Sequence, residues 1–353
     1  MNAIEIKNVV KTYPEFTLGP IGLEIKQGEF FGIFGPPSSG KTSILKLILG
    51  LIDPDEGQVI ISDQDAKELG VAERGMSMVF QNLALFPHMT GRENIIFPLK
   101  ERGTSDEEMS RQLDLVSDVL HISHILHKNP AQMSGGERQR IALGRAFAAN
   151  SRAMLLDEPI AALDARLREE MRVELKRLQR ENNQTFVYVS HDEEEVMAIS
   201  DRLAVVIDGK IAQIGAPDDV YSRPNSLSVA EVIGSPPMNF FQGQFSDDGQ
   251  FFDVESLGGR LPVAGNIGKG GKATLGIRPE DIWLVQDGED TDFELSISSV
   301  EPLGGYTILN AHLGDQIVKI RAPGQVNVAE GSTQKVSFDQ RRIHLFSDNG
   351  ARL

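Results

Sequence analysis

Cysteine is absent from the 353-residue sequence, which excludes disulfides and thiolate-held metals and fits a reducing compartment. Positive charge is also short: 35 Lys and Arg stand against 51 Asp and Glu, for a formal net charge of −16. Binding to a phosphate backbone needs clustered cations, so nucleic acid is not an expected partner. Direct attachment to an anionic membrane surface is disfavoured for the same reason. No run approaches the roughly 18 apolar residues of a spanning helix. The opening Met1-Asn2-Ala3-Ile4-Glu5 lacks the basic and apolar regions of a secretory signal. No internal repeat or low-complexity tract is present. The expectation is an acidic, soluble, intracellular chain, long enough for a large core and two domains.

Residues 1–235 alternate strand-like apolar runs with helical patterns, which predicts a mostly parallel sheet with helices packed on it. Phe30–Phe34, Ala153–Leu156 and Thr185–Val189 read as buried strands, and Ile44–Leu49 as an apolar helix. Residues 91–150 read as a mainly helical insert. Near Gly234-Ser235-Pro236-Pro237 the pattern changes to short alternating runs such as Phe293–Ser298, separated by Gly, Asp and Pro. A second, all-β domain over 236–353 is therefore expected, as a small barrel or sandwich.

Gly35-Pro36-Pro37-Ser38-Ser39-Gly40-Lys41-Thr42 fits G-x-x-x-x-G-K-[ST] between a strand-like and a helix-like run. In that setting backbone N–H groups and a helix N-terminus cradle phosphates. Lys41 would neutralise them and Thr42 would hold Mg²⁺, with Ser43 completing the nucleotide-binding stretch. Asp157-Glu158 ends an apolar strand, where Asp157 can position Mg²⁺ and Glu158 can polarise an attacking water. Alone, such a pair is more often a solvated turn; the upstream phosphate loop changes that reading. His121, His124 and His127 are three residues apart, and each such step drifts about 60° round a helix, so a shared metal site is not expected. Glu193-Glu194-Glu195 reads as a solvated helix start favoured by the macrodipole.

Ser134-Gly135-Gly136-Glu137, lying ahead of the Asp157-Glu158 strand, resembles the signature segment of the ATP-binding-cassette ATPases. Gln81 matches the family's Q-loop glutamine and His191 its switch histidine, Leu163-Asp164 the end of its D-loop, and Tyr13 the aromatic that stacks on adenine. The resemblance implies a P-loop cassette that works as a head-to-tail pair. Ser134 to Gly136 would then donate hydrogen bonds in trans to ATP held by a second copy. His191 would hold the γ-phosphate and attacking water, and Gln81 would sense Mg²⁺. Closure on ATP and reopening on hydrolysis would convert phosphate chemistry into motion.

Ile233–Phe240, Gly276-Ile277-Arg278-Pro279-Glu280, Val300–Gly304 and His344-Leu345-Phe346 resemble the C-terminal extension of maltose- and glycerol-phosphate-type importer ATPases. That group implies an oligonucleotide-binding-fold-like regulatory domain. It also implies a second ATPase subunit, two transmembrane permease subunits that dock near Leu83–His88, an extracytoplasmic solute-binding protein, and a peripheral position on the cytoplasmic side of the membrane. A ferric-ion, sulfate, molybdate or polyamine importer is the alternative, and a non-transport cassette a more distant one. Three segments depart from the family pattern. Pro37 and Ser38 replace the usual Ser and Gly, Ala161-Ala162 replace the usual Ser and a small or polar residue, and Glu137 stands where many relatives carry Gln. Proline removes one N–H from the phosphate loop. These changes leave open a pair with a non-identical sister ATPase.

Overall fold

The structure is a computed structural model and describes residues 1–256, 258–263, 270–285, 293–313 and 316–353. Its contacts divide the chain into Met1–Pro217 and Asp218–Leu353. The first unit begins with β1 (Asn2–Tyr13), β2 (Phe16–Lys26), β3 (Phe30–Phe34), α1 (Lys41–Leu49), β4 (Glu56–Ile61), β5 (Gln64–Asp65) and β6 (Met76–Val79). Three helices follow, α2 (Gly91–Glu101), α3 (Asp106–Val119) and α4 (Gly135–Ala148). The unit then runs through β7 (Ala153–Asp157), α5 (Ala165–Glu181), β8 (Thr185–Ser190), α6 (Glu193–Ile199), β9 (Arg202–Ile207) and β10 (Lys210–Gly215).

The central sheet has the order β10-β9-β3-β8-β7-β6. β9, β3, β8, β7 and β6 run parallel, and β10 closes the edge antiparallel. The runs read from sequence as strands are three of its four inner members, and every residue of β3, β7 and β8 is buried. A continuous apolar run is what a strand covered on both faces requires. The sequence reading did not anticipate a second, antiparallel sheet of order β2-β1-β4-β5. β2 alternates buried and exposed positions, the mark of a sheet with one face on the core. The core joins Ile4, Ile21 and Ile25 of this sheet to Ile44 and Ile48 of α1 and to Ile33, Leu155 and Val187 of the parallel sheet.

The solvated-start reading of Glu193–Glu195 needs correction. These residues form the first turn of α6, but Glu195 is buried. Its carboxylate accepts from the hydroxyls of Tyr188 and Ser190, each at 2.8 Å. Periodicity could not reveal this, because both donors come from β8.

The second unit starts with α7 (Pro217–Ser222, entered from the first unit) and α8 (Leu227–Val232). Its strands are β11 (Asn239–Phe245), β12 (Phe251–Val254), β13 (Gly259–Pro262), β14 (Lys272–Ile277), β15 (Ile282–Leu284), β16 (Phe293–Pro302), β17 (Tyr306–Leu313), β18 (Gln316–Pro323), β19 (Thr333–Phe338) and β20 (His344–Ser347). They form two antiparallel five-stranded sheets, β13-β12-β11-β14-β20 and β15-β19-β16-β17-β18. One core joins the sheets: the Phe338 ring lies 5.8 Å from Phe241 and 5.0 Å from Phe293. Buried Arg278 donates to the carbonyls of Ile233 and Tyr221 at 2.8 and 2.6 Å, and its guanidinium lies 3.6 Å from the Tyr221 ring centroid. The two short helices are thereby tied to the β-unit, and the contact division falls ahead of the pattern change near residue 236. No helix among the described residues is long and apolar enough to cross a membrane.

Candidate functional site

Parallel pairing fixes where the chemistry sits. Phe34 at the end of β3 pairs with Ser190 of β8, and Asp157 at the end of β7 pairs with Val189. The loop after β3, the Asp157-Glu158 pair and His191 therefore emerge side by side at the carboxyl ends of three adjacent strands, the usual location for ligands in open α/β sheets.

In the loop after β3, Gly40 is the N-cap of α1 with φ 101° and contributes no side-chain cap. The first-turn N–H groups are left to face an anion. Ser38 has φ 62°, in the left-handed region that costs an L-residue about 1 kcal/mol. That is the position where the family pattern has Gly, so the loop keeps its shape at the expense of some strain. Lys41 is buried, and its ammonium donates to the carbonyls of Gly35 and Pro36, both at 2.7 Å. Burial pushes this ammonium below the ordinary lysine value, and nearby Glu158 and Asp157 oppose that push.

Thr42 Oγ1 lies 3.1 and 3.0 Å from the two carboxylate oxygens of Asp157. Burial is the main force raising the Asp157 carboxyl above its usual value; the Thr42 hydrogen bond works against it and Glu158 adds to it. A hydroxyl beside a desolvated carboxylate is a hard-oxygen donor set that suits Mg²⁺, which takes one or two protein oxygens and completes its shell with water and phosphate. Glu158 is held on every side. Its carboxylate accepts from Gln81 Nε2 at 3.2 Å and contacts His191 Nδ1 at 2.8 Å. Its own N–H donates to Val189 at 2.9 Å.

Tyr13 donates to Ser43 Oγ at 3.1 Å and stacks on Phe16, with ring centroids 6.3 Å apart. A cavity of about 470 Å³ is lined by Tyr13, Phe16, Lys41, Thr42, Gln81 and Glu158, together with Pro37, Ser38, Gly40 and Ser43. Phe16 was missed in the sequence. Its signal was its place directly opposite Tyr13 across the β1–β2 turn. Two further supports came only with the fold. Arg145 of α4 donates to the carbonyls of Ala84 and Leu83 at 2.7 and 3.0 Å, and fully buried Asn94 bonds both the N–H and the carbonyl of Phe86. Together they hold the loop that follows Gln81.

Ser134, Gly135, Gly136 and Glu137 are not among the residues lining this cavity. They open α4, where the Ser134 Oγ accepts from the N–H of Glu137 at 3.2 Å and Glu137 accepts from the N–H of Ser134 at 2.6 Å, a complete capping box. Glu137 also pairs with Lys128 at 2.8 Å, so its carboxylate serves the cap. The Ser134 hydroxyl hydrogen and the N–H groups of Gly135 and Gly136 take no part in that box. The bond to Lys128, with help from the Ser134 N–H, lowers the Glu137 carboxyl from the usual 4.5 to about 2. A depressed acid stabilises the fold above its unfolded value, and that stability is lost as pH falls through the folded one. The parent should therefore melt above Glu137→Gln at neutral pH, and the gap should close between about pH 4.5 and 2. Thermal melts across that range measure it.

The comparisons with known proteins agree with this geometry. The chain matches the ABC transporter family over residues 18–161, the MalK OB fold domain over 234–282 and the TOBE domain over 275–346. It is 37% identical to the sulfoquinovosyl glycerol transport ATP-binding protein SmoE of Agrobacterium fabrum, covering 98% of both chains. It is 40% identical to the sn-glycerol-3-phosphate import ATP-binding protein UgpC of a Ruegeria species, over 98% of this chain and 97% of that one. The trehalose/maltose import ATP-binding protein MalK of Thermococcus litoralis is 38% identical, with 98% of each covered. A dimeric ATP-binding cassette solved in a post-hydrolysis state with ADP and phosphate superposes with a TM-score of 0.57 at 32% identity, over 61% of this chain and 98% of that one. Likeness at this level over nearly the full length of its relatives places the chain in a family: it belongs to the ATP-binding-cassette transporter ATPases and carries their MalK-type OB and TOBE domains.

Proposed function

We propose that this chain is the ATP-hydrolysing subunit of an importer for a sugar, polyol or glycerol-3-phosphate-like solute, working from the cytoplasmic side of the membrane as a head-to-tail pair. One observation carries the reading. One cavity is lined by phosphate-loop residues, Thr42, Gln81 and Glu158, with Asp157 bonded to Thr42 and His191 to Glu158, while Ser134 to Gly136 do not line it. A site split in this way is completed by a second copy presenting its α4 N-terminus to the γ-phosphate. The names of the relatives and the MalK OB match favour the carbohydrate and polyol class over ferric-ion, sulfate, molybdate or polyamine import.

Each residue then has a physical task. Tyr13 stacks on the base, the amides from Ser38 to Ser43 cradle the phosphates, and Lys41 transfers its ammonium from the loop carbonyls to them. Thr42 and Asp157 would hold Mg²⁺, which when bound neutralises charge on the β- and γ-phosphates. Glu158 orients the attacking water and takes up its proton, while His191 and Gln81 keep its carboxylate aimed.

A groove of about 450 Å³ lies on the same unit, lined by Met76, Met78, Phe80, Phe86, Phe97 and Arg145 among others. The Phe86 and Phe97 rings lie tilted with centroids 4.7 Å apart, with the Arg145 guanidinium 5.6 Å from the Phe86 ring. The groove borders the loop that follows Gln81, and its apolar floor suits a short helix of a permease subunit. The permeases would in turn receive solute from an extracytoplasmic binding protein.

Three substitutions test this reading. Glu158→Gln should cut hydrolysis by about 10²–10⁴-fold while ATP-bound dimers accumulate, seen by steady-state assay and size-exclusion chromatography. Asp157→Asn should raise the melting midpoint of the nucleotide-free protein at neutral pH, because the fold disfavours the ionised carboxyl. The same substitution should weaken Mg²⁺-dependent ATP binding by roughly 10–100-fold. Phe97→Asp should leave ATP binding intact and abolish stimulation of hydrolysis by co-expressed membrane subunits.

A further inference from the structure

Helix α4 and the loop that follows β7 are tied together by one side chain. Gln139, 3% exposed, donates from Nε2 to the carbonyl of Glu158 at 3.0 Å. Its Oε1 accepts from the N–H of Ala162 at 2.9 Å. A single primary amide thus satisfies an acceptor and a donor at the two ends of the 158–162 turn. Glu158 needs such restraint: its φ is 49°, a left-handed conformation that a residue with a side chain keeps only where its surroundings over-determine it. The contact continues at the start of the helix. A Cβ on Gly136 would lie 3.3 Å from Leu163 Cδ2 and 3.6 Å from the Ala162 carbonyl. The first turn of α4 therefore rests against the same loop that Gln139 clasps one turn further on.

We propose that Gln139 is a positioning residue that locks Glu158 of one ATP site to the Ser134–Gly136 donors presented to the other, so that the two sites of a pair act together. The inference rests on the head-to-tail reading above. In such a pair the groups joined by Gln139 serve different nucleotides. Glu158 acts on ATP held by its own phosphate loop, and Ser134 to Gly136 act on ATP held by the partner. Contact of α4 with the partner's γ-phosphate shifts the helix, and the Gln139 amide passes that shift to the peptide groups of Glu158 and Ala162. Gln139 touches neither nucleotide; it acts through those backbones alone. The linkage is short and direct, within the reach of two hydrogen bonds.

Gln139→Met removes both bonds and nearly keeps the volume. Gln139→Glu keeps an acceptor for Ala162, but when ionised it offers the Glu158 carbonyl no donor; when protonated it regains one. In the full-length chain, Gln139→Met should lower kcat by about 10–100-fold, the range for loss of an outer-shell partner. Its Hill coefficient for ATP should fall toward about 1, with ATP affinity of the monomer within about twofold of the parent. The rate of Gln139→Glu relative to the parent should be low at alkaline pH and recover as pH falls, whereas the ratio for Gln139→Met stays flat. Packing alone would move neither the Hill coefficient nor the pH profile. Unchanged cooperativity in Gln139→Met, or a flat profile for Gln139→Glu, overturns the proposal; should Gln139→Met not fold, the profile decides. Glu158→Gln supplies the separate check. If it stays monomeric with ATP, the head-to-tail reading fails; if it dimerises while the Gln139 variants keep full cooperativity, only the Gln139 link fails.

Discussion

The pairing of β3, β8 and β7 is the constraint on which the rest depends. Phe34 opposite Ser190 and Asp157 opposite Val189 bring three chain segments, far apart in sequence, to one edge of the sheet. Side chains alternate faces along a strand, so a one-residue slip of β7 would exchange the directions of Asp157 and Glu158. Thr42 would lose its carboxylate and His191 its glutamate. The apolar content of these strands is therefore a positional device as well as a source of stability. Full burial on both faces makes a slipped register expensive.

Around that edge the protein holds charge in readiness for a charged ligand. Lys41, Asp157 and Glu158 share a partly desolvated space in which an unpaired ion is costly. The lysine is met by loop carbonyls, the aspartate by the Thr42 hydroxyl, and the glutamate by Gln81 and His191. Hydrogen-bonding partners of this kind can be exchanged for phosphate and cation with little rearrangement, which is what preorganisation means for a phosphoryl-transfer site.

Helix α4 binds the remaining parts into one body. Its first turn carries the Ser134 capping box, Gln139 clasps the loop of Glu158, and Arg145 in its last turn holds the loop after Gln81. The departures at Pro37, Ser38 and Ala162 sit within this frame without breaking it. Ser38 takes up the left-handed turn where the family pattern has Gly, and Ala162 engages through its backbone N–H.

By itself the sequence determined the α/β class, the three buried strands, the phosphate loop and the residues ending β7 and β8. Those features depend on local order: apolar runs, a glycine spacing, a carboxylate pair at a strand end. The antiparallel β2-β1-β4-β5 sheet escaped, because its partners are chosen by pairing across the chain. So did the burial of Glu195, whose partners lie on another element, and the inward turn of Glu137, whose pairing with Lys128 shows only in three dimensions. Gln139 stands in the run that follows the Ser134–Glu137 segment, but only folding placed Glu158 and Ala162 within reach of its amide. Residue types and their spacing announce which chemistry is available. Which groups meet, and at what distance, is decided by packing between segments that the linear order keeps apart.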